Sequence, residues 1–237
     1  MDAVVPAAGR GTRMGDATAD RPKPLVEVAG EPLLSHAMRP AVAAGVEELV
    51  VVVGYRGDQI VDRYGDSFEG VPITYAWQED PRGLADGVRI GGSRAAGAFL
   101  QVHGDYVFGG SFDGLLARHR ASDAAATLLV EGVPPERASE FGVIEFEADG
   151  SVAGVVEKPA DPPSNVVLTG AFVFDPVVVS ACEVITPSDR GEYETADALD
   201  LLVTAGHEIE LVAADAWLVN VNSPADAATV ERRLNEG

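Results

Sequence analysis

The sequence predicts an α/β protein built on a doubly wound, Rossmann-like sheet, mixed but mostly parallel, with a smaller lobe interleaved in its second half. Short apolar runs alternate with amphipathic stretches through the first half, which is typical of a parallel sheet covered by helices. A glycine-rich turn follows the first apolar run, where such sheets bind ligands. After residue 140, alternating apolar and polar residues around a glycine-containing turn indicate an antiparallel hairpin.

Apolar runs and helical spacing place the elements of the first half. DAVVP at 2–6 predicts a first strand, and ELVVVV at 48–53 predicts a strand buried on both faces, because it is nearly all valine and leucine. Further strands are expected near 72–76, 98–102 and 124–131. Helices are expected near 32–44, 56–64 and 84–96.

The second half opens with the hairpin FGVIEFEADGSVAGVVEKP, followed by a proline-rich loop at 159–163. Beyond it we expect strands at 166–174 and 208–213, and helices near 176–183, 195–206 and 224–235. No linker-like stretch separates the halves, so the sequence predicts one domain over residues 1–237.

Composition excludes several classes of protein. Of 237 residues 46% are apolar, which supplies a core and argues against intrinsic disorder. No apolar run is long enough for a membrane span, and the N-terminus lacks the pattern of a secretory signal. The single cysteine, Cys182, cannot form an intramolecular disulfide or anchor a structural zinc site. A cytoplasmic protein is expected.

Charge argues against nucleic acid and membranes as partners. Seventeen basic against 38 acidic residues give a net charge of −21, and such a surface repels phosphate backbones and anionic lipids. Lys23 and Lys158 are the only lysines. Strong acidity with almost no lysine predicts a halophilic archaeal source, with an acidic mesophilic protein as the alternative. Monomer and homo-oligomer both stay open.

The turn after the first strand, AAGRGTRM at 7–14, suits phosphate binding, because backbone N–H groups of a glycine-rich turn approach phosphate oxygens closely. It lacks the Gly-Lys-Ser/Thr of a Walker A loop and the third glycine of a dinucleotide fingerprint. It carries Arg13 and leads to Lys23, which two prolines hold in a stiff segment. Two fixed cations beside a phosphate cradle suit a triphosphate that releases pyrophosphate. The alternative is a tight turn with incidental surface cations.

These residues resemble the signature of the sugar nucleotidyltransferases, the nucleoside-diphosphate-sugar pyrophosphorylases. Gly9-x-Gly11-Thr12-Arg13 is followed by Pro22-Lys23-Pro24-Leu25, as in that family. Further family motifs come in the family's order across essentially the whole chain: Gln78-x-x-Pro81-x-Gly83-Leu84-Ala85, Gly104-Asp105, Phe141-Gly142-Val143, Glu157-Lys158-Pro159, Thr169-Gly170-Ala171-Phe172 and Arg190-Gly191-Glu192-Tyr193-Glu194. Each motif is weak alone, but the ordered set is specific.

The resemblance implies a nucleotide-diphospho-sugar transferase fold. Roughly, residues 1–135 would form the NTP-binding core and residues 136–237 the interleaved sugar-binding lobe with the C-terminal helix. Relatives that also acetylate sugars carry a C-terminal β-helix with hexapeptide repeats. The sequence has no such repeat, so no β-helix domain and no acyltransferase activity are expected.

At the nucleotide end, the resemblance implies a phosphate cradle, two catalytic cations and a base-recognition loop. The cradle is Ala8, Gly9, Gly11 and Thr12, and the cations are Arg13, for pyrophosphate, and Lys23, for the α-phosphate. Gln78 presents a donor and an acceptor, which suit the O4/N3 edge of uracil or thymine, and Gly83 lets the backbone meet the base closely. The alternative for Gln78 and Gly83 is that they belong to an ordinary polar loop before a helix.

Asp105 follows the strand at 98–102, in the crevice where doubly wound sheets bind ligands. A carboxylate there suits Mg²⁺, which takes one or two protein oxygens and keeps several waters, and the resemblance implies the same catalytic metal ligand. A turn-forming Asp is the alternative. The family's second ligand is usually Asp in Trp-x-Asp-x-Gly-Thr, but here Asn220 or, in another register, Asn222 takes that place. An amide oxygen adds no negative charge, so weaker Mg²⁺ binding is expected.

At the sugar end, the resemblance implies contacts from Gly142, Glu157, Lys158, Thr169 and Gly170. Glu157 would accept from sugar hydroxyls and Lys158 would bind the sugar phosphate. Neighbours on a strand point to opposite faces, but Pro159 ends the strand and permits both to reach a ligand. An exposed ion pair is the alternative. Both lysines of the chain lie in candidate phosphate-binding motifs, where a compact ammonium acts as a point charge.

The function hypothesis is transfer of a nucleotidyl group. A sugar 1-phosphate, with glucose 1-phosphate favoured, would attack the α-phosphate of UTP or dTTP in line with the leaving pyrophosphate, assisted by Mg²⁺. Alternatives in the same fold are N-acetylglucosamine 1-phosphate, mannose 1-phosphate, or an acceptor for cytidylyl or guanylyl transfer. A non-catalytic regulator that binds nucleotide sugars, with Asn220 as the lesion, is the alternative from another class.

Overall fold

The computed structural model describes residues 1–9, 11 and 20–236 of the chain. Its strands are β1 (Asp2–Pro6), β2 (Glu27–Val28), β3 (Glu31–Pro32), β4 (Leu49–Val53), β5 (Ser67–Phe68), β6 (Val71–Trp77), β7 (Phe99–Val102), β8 (Tyr106–Phe108), β9 (Ala126–Gly132), β10 (Gly142–Phe146), β11 (Val152–Glu157), β12 (Val166–Phe174), β13 (Ile209–Ala213) and β14 (Leu218–Asn220). Its helices are α1 (Leu33–Ala43), α2 (Gly57–Tyr64), α3 (Leu84–Gly92), α4 (Asp113–Arg120), α5 (Val177–Val184), α6 (Thr195–Thr204) and α7 (Pro224–Asn235).

The described residues form a ten-stranded mixed sheet, in which β11, β10, β12, β7, β1, β4, β6 and β5 lie side by side in that order. Strands β7, β1, β4 and β6 are mutually parallel at the centre. Strand β12 is antiparallel to β7, to β10 and to β9, and β9 carries the parallel strand β13. The chain runs from β1 outward through β4 to β6, then returns to place β7 on the other side of β1. That reversal creates a crevice at the carboxyl ends of the central strands.

Alternate residues of the central strands feed two cores, one on each face of the sheet. In β4, Val50 and Val52 pack in a cluster with α3, α5 and α6, whereas Val51 and Val53 pack in a cluster with α1, α2 and α4. All five residues of β4 are buried, as the valine-rich run predicts. The doubly wound α/β architecture is therefore confirmed.

Three features were not predicted from the sequence. Helix α4 was missed because its sequence, DGLLARHR, is mostly polar and buries only Leu115, Leu116 and His119. The short hairpin of β2 and β3 was also missed. The third feature is a two-stranded sheet in which β14 pairs antiparallel with β8, from a distant part of the chain. Helix α3 ends at Gly92, earlier than predicted.

Across residues 1–9, 11 and 20–236, no helix has the length and apolar character needed to cross a bilayer.

The buried thiol of Cys182 in α5 provides a test of how salt affects folding. Only 3% of the residue is exposed, and burial raises the pKa of the thiol to about 12. The thiolate is the reactive form of cysteine, so a buried thiol with a raised pKa reacts slowly. We expect no labelling by a thiol reagent over minutes in molar KCl, and rapid labelling when salt is diluted, because self-repulsion of the net charge then unfolds the chain.

Labelling in guanidinium chloride gives the rate for the unfolded chain. Rapid labelling in molar KCl would contradict the buried position of Cys182. Protection that persists at low salt would contradict a halophilic origin.

Candidate functional site

A cavity of about 620 Å³ lies at the carboxyl ends of the central strands, and the loop after β11 and the segment before α6 form its far side. It collects most of the residues that the sequence singled out. Those lining it are Ala8, Gly9, Gly11, Lys23, Gln78, Gly83, Asp105, Gly142, Glu157, Lys158, Thr169, Asn220 and Asn222. Gly170 does not line it, and the predicted positions Thr12 and Arg13 lie outside the described residues.

Lys23 forms the centre of one end of the cavity. It begins a short 3-10 turn, Lys23–Leu25, between Pro22 and Pro24, and only 8% of it is exposed. Its ammonium lies 2.7 Å from Oδ2 of Asp105 and 2.9 Å from Oδ1 of Asn222. The prolines restrict the backbone on both sides, so the ammonium is held in a defined place. This end of the cavity is therefore built to hold a positive charge between two oxygens.

The electrostatics of Asp105 follow from that contact. Burial by itself would raise the pKa of the carboxyl, but attraction and hydrogen bonding to the Lys23 ammonium outweigh it, and the pKa lies below the usual value. Asp105 is therefore ionised at neutral pH. Its side chain is still 35% exposed, so the carboxylate faces the cavity as well as the lysine.

The pairing of β8 with β14 brings the two candidate asparagines to Asp105. Asn220 lies opposite Tyr106 in this small sheet, and its Oδ1 is buried with no hydrogen-bond partner among the described residues. Asn222 follows the strand, and its backbone N–H donates to the Asp226 carboxylate at 2.9 Å in the first turn of α7. Of the two asparagines, it is Asn222 whose side chain contacts the Lys23 ammonium together with Asp105.

Gln78 follows β6, and its backbone N–H donates to the carbonyl of Val53 at 2.8 Å. Its side-chain Nε2 donates to the carbonyl of Gly83 at 3.1 Å and to Oδ2 of Asp86 at 2.9 Å. The sequence interpretation left both donor and acceptor for a ligand, whereas the structure engages the donor within the protein. Gly83 has φ of 113°, and a Cβ there would lie 2.6 Å from the backbone of Tyr193, so only glycine fits.

The other end of the cavity carries Glu157 and Lys158. Strand β11 ends at Glu157, and Lys158 adopts the left-handed conformation with φ of 46° while its N–H donates to the carbonyl of Phe141. This turn places the Lys158 ammonium 3.1 Å from Oε1 of Glu157, on the same side of the chain. The predicted end of the strand before Pro159 is confirmed, and a strained left-handed residue is a common feature of functional sites.

Arg190 is a functional candidate to which the sequence motif assigned no role. Its guanidinium lies 2.6 Å from Oε1 of the buried Glu194 and 3.4 Å from Oε1 of Glu157. Arg190 also lies 3.6 Å from Oε2 of Glu192, so three carboxylates and two cations, Lys158 included, form one network at this end. The motif containing Arg190 was visible in the sequence, but its contact with the β11 end depends on tertiary packing.

Two further residues that were predicted to contact the sugar, Thr169 and Gly170, make contacts within the protein. The hydroxyl of Thr169 donates to the carbonyl of Leu129 at 2.7 Å. The carbonyl of Gly170 accepts from the N–H of His103, and a Cβ at Gly170 would lie 2.5 Å from the ring of Tyr106. Gly170 therefore allows β12 to pack against β8 behind the cavity wall. Sugar contacts by either residue stay predictions.

His103 also lines the cavity. Its ring packs edge-on against Tyr106 and Phe172, and burial lowers the pKa of the imidazole, so it is neutral at pH 7. Within the described part of the chain, no cluster of three or more His, Cys, Asp or Glu side chains is suited to a metal ion. A magnesium ion needs fewer protein ligands than that, because phosphate oxygens and water complete its shell.

Known proteins are similar to this chain in sequence and in fold. A family model described as nucleotidyl transferase matches residues 2–218. The chain is 42% identical over 236 residues to the UTP–glucose-1-phosphate uridylyltransferase AglF of Haloferax volcanii, covering 100% of this chain and 97% of that protein. It is 35% identical over 240 residues to a glucose-1-phosphate thymidylyltransferase of Streptomyces griseus, covering 100% of this chain and 66% of that one.

A solved structure has a similar fold. The crystal structure of a UDP-glucose pyrophosphorylase complexed with UDP-glucose matches with a TM-score of 0.89, covering 99% of this chain and 98% of the other. The two sequences are 21% identical, so this likeness concerns the fold.

Proposed function

Because the chain belongs to the nucleotidyl transferase family, we propose that it makes a nucleoside-diphosphate sugar and pyrophosphate from UTP or dTTP and a sugar 1-phosphate. Glucose 1-phosphate is the favoured acceptor. The observation that carries the proposal is the distribution of charge in one cavity, with Lys23 at one end and Lys158 at the other. The names of relatives that use UTP or glucose 1-phosphate support the choice of substrates.

The reaction needs positioning and charge neutralisation more than covalent chemistry. A phosphate oxygen of the sugar 1-phosphate attacks the α-phosphorus, and the bond to pyrophosphate breaks in line with it. Lys23, held between Asp105 and Asn222, is placed to neutralise the α-phosphate. Lys158 would hold the phosphate of the sugar, while Glu157 accepts from its hydroxyls. Arg13 and the loop amides from Gly9 to Thr12 would bind the leaving pyrophosphate.

The residues at Lys23 fit a divalent cation. The Asp105 carboxylate and the Asn222 amide oxygen already converge on a positive charge, and both are the hard oxygen ligands that Mg²⁺ prefers. Asp105 and Asn222 would hold the ion, which when bound would neutralise phosphate charge. Family membership supports a divalent metal, and the choice of Mg²⁺ is part of the proposal.

Matched variants distinguish the two asparagines. In Asn222→Asp a second carboxylate joins Asp105 at the cation site, so the Mg²⁺ concentration for half-maximal activity should fall by about threefold to tenfold. In Asn220→Asp a carboxylate is buried opposite Tyr106, so the Mg²⁺ dependence should stay unchanged while the melting temperature falls. Magnesium titrations of both variants, with thermal melting, check this.

A shift in Mg²⁺ dependence for Asn220→Asp alone would assign the ligand to the other register. A large gain of turnover from near zero in Asn220→Asp would instead favour the non-catalytic regulator.

The experiment that tests the function is pyrophosphate release with Mg²⁺ in molar KCl, across a panel of NTPs and sugar 1-phosphates. Release is expected with UTP or dTTP together with glucose 1-phosphate. Release only with another pair, such as N-acetylglucosamine or mannose 1-phosphate, or with CTP or GTP, would keep the mechanism and correct the substrate. A folded chain that releases none with any pair would overturn the proposal.

The assignment of one substrate to each half of the chain is part of the same proposal. Residues 1–135, approximately, would bind the NTP and residues 136–237 the sugar phosphate, a division that depends on where ligands bind. The cytoplasm stays the expected compartment, and the single buried thiol of Cys182 suits a reducing environment.

A further inference from the structure

We propose that Asp86 is a positioning residue that holds the Gln78 amide with its carbonyl oxygen toward the cavity, and so selects bases with an imide N–H, uracil and thymine, over cytosine. This rests on the proposed function, in which the nucleotide base binds at Gln78. None of the sequence motifs assigned a role to Asp86.

The first step concerns the donors of Gln78. Its Nε2 lies 3.1 Å from the carbonyl oxygen of Gly83 and 2.9 Å from Oδ2 of Asp86. An amide nitrogen has two hydrogens, so both are engaged within the protein. Gln78 is 7% exposed and Asp86 is 7% exposed, so water does not compete freely for these bonds.

The second step concerns the orientation of the amide. A backbone carbonyl and a carboxylate are both acceptors, so the group facing them must be NH₂ rather than the carbonyl oxygen. The Arg89 guanidinium donates to Oδ1 of Asp86, with Nη2 at 2.8 Å and Nε at 3.2 Å from that oxygen. The other oxygen of Asp86 is thereby left for Gln78. A flipped amide would set its oxygen against two acceptors in a site that excludes water.

The third step concerns what is left for a ligand. Gln78 lines the cavity, and no hydrogen bond from a described residue reaches its Oε1. Gly87 also lines the cavity, and a Cβ there would come within 3.9 Å of Oε1, so glycine leaves space beside this oxygen. The base-facing group of Gln78 is therefore an acceptor and not a donor.

The carbonyl oxygen of Gln78, as an acceptor facing the base, distinguishes uracil and thymine from cytosine. Uracil and thymine carry a hydrogen on N3 and donate it to the carbonyl oxygen of Gln78. Cytosine presents a lone pair at N3, which would face that oxygen and leave both unpaired. Uracil and thymine differ only by a methyl group away from this edge, so Asp86 should not separate UTP from dTTP.

Binding of UMP and CMP to the full chain, measured by titration calorimetry in molar KCl, tests the proposal without turnover. Wild-type protein is expected to bind UMP at least about tenfold more tightly than CMP. In Asp86→Ala the Gln78 amide keeps only the Gly83 carbonyl of the two acceptors that orient it, so the ratio should fall toward unity, to about threefold or less. The ratio within one variant reports base selection, which a general loss of stability does not change.

Arg89→Met is the matched control. It removes the charge partner of Asp86 but leaves both carboxylate oxygens able to accept from Gln78, so the UMP-to-CMP ratio should stay within about threefold of wild type. Slow labelling of Cys182 confirms that each variant is folded. If Asp86→Ala unfolds, Asp86→Leu keeps more of the side-chain volume and carries the same expectation.

A ratio in folded Asp86→Ala or Asp86→Leu that equals the wild-type ratio would overturn the role of Asp86 while leaving the proposed function intact. Wild-type protein that binds CMP as tightly as UMP would overturn both this inference and the assignment of the base to Gln78. Pyrophosphate release would then still show whether nucleotidyl transfer occurs.

Discussion

Replacing Lys23 by alanine is expected to lower kcat by about a thousandfold, because the variant loses the one ammonium that the structure holds against Asp105 and Asn222. Charge that develops at the α-phosphate would then meet no lysine ammonium at this point. The effect should fall mainly on kcat, since other groups still bind the remainder of both substrates. Steady-state release of pyrophosphate, with UTP and glucose 1-phosphate varied in turn, measures it.

Two variants make this result specific. Arg21→Ala removes a neighbouring but exposed cation, and its kcat should stay within about threefold of wild type. Lys23→Arg keeps the charge but not the compact shape, and it should restore little activity, because the lysine is 8% exposed between two prolines. Full activity in Lys23→Ala would contradict a catalytic role for this residue.

Asp105→Asn is expected to lower activity by about a thousandfold and to abolish stimulation by low Mg²⁺. The amide has the shape of the carboxylate but no charge, so neither the Lys23 ammonium nor a divalent cation has an ionic partner. The pKa of Asp105 lies below its usual value, so the wild-type carboxylate stays charged well below pH 7. Magnesium titrations of wild type and variant at saturating substrates give the comparison.

The direct contact between Lys23 and Asp105 predicts that their effects do not multiply. The two side chains lie 2.7 Å apart, so removing either disrupts the same arrangement. The double variant should therefore be no more than about tenfold less active than the worse single variant. If the activity loss of the double variant equals the product of the two single losses, the two residues act separately. That result would contradict their arrangement around one phosphate.

Most residues of the candidate site could be singled out from the sequence because they lie where strands end. Gly9, Gln78 and Asp105 each follow a central strand, and the carboxyl ends of parallel strands meet at one edge of the sheet. The family resemblance singled out Glu157 and Lys158, and Pro159, which ends the hairpin strand, permits both side chains to reach a ligand. Local sequence determines these strand ends, so no tertiary information was needed to find them.

Contacts between distant segments were not predictable in the same way. The sequence left Asn220 and Asn222 as alternatives, and the register of β14 on β8 decided which one meets Lys23. Short strands with little local signal pair only when the rest of the fold brings them together. The contact of Arg190 with Glu157 likewise depends on how the segment before α6 packs against the end of β11.

By itself, the sequence determined the α/β class, the alternation of strands and helices, the acidic surface and the ordered motifs, because periodicity, composition and strand ends are local properties. Only the tertiary structure decided how single atoms face the cavity. It directed the Lys23 ammonium to Asp105 and Asn222, and it turned the Gln78 amide so that its donors face Gly83 and Asp86. Hydrogen-bond direction depends on which acceptors surround a group in space, and adjacent positions in the chain do not specify them.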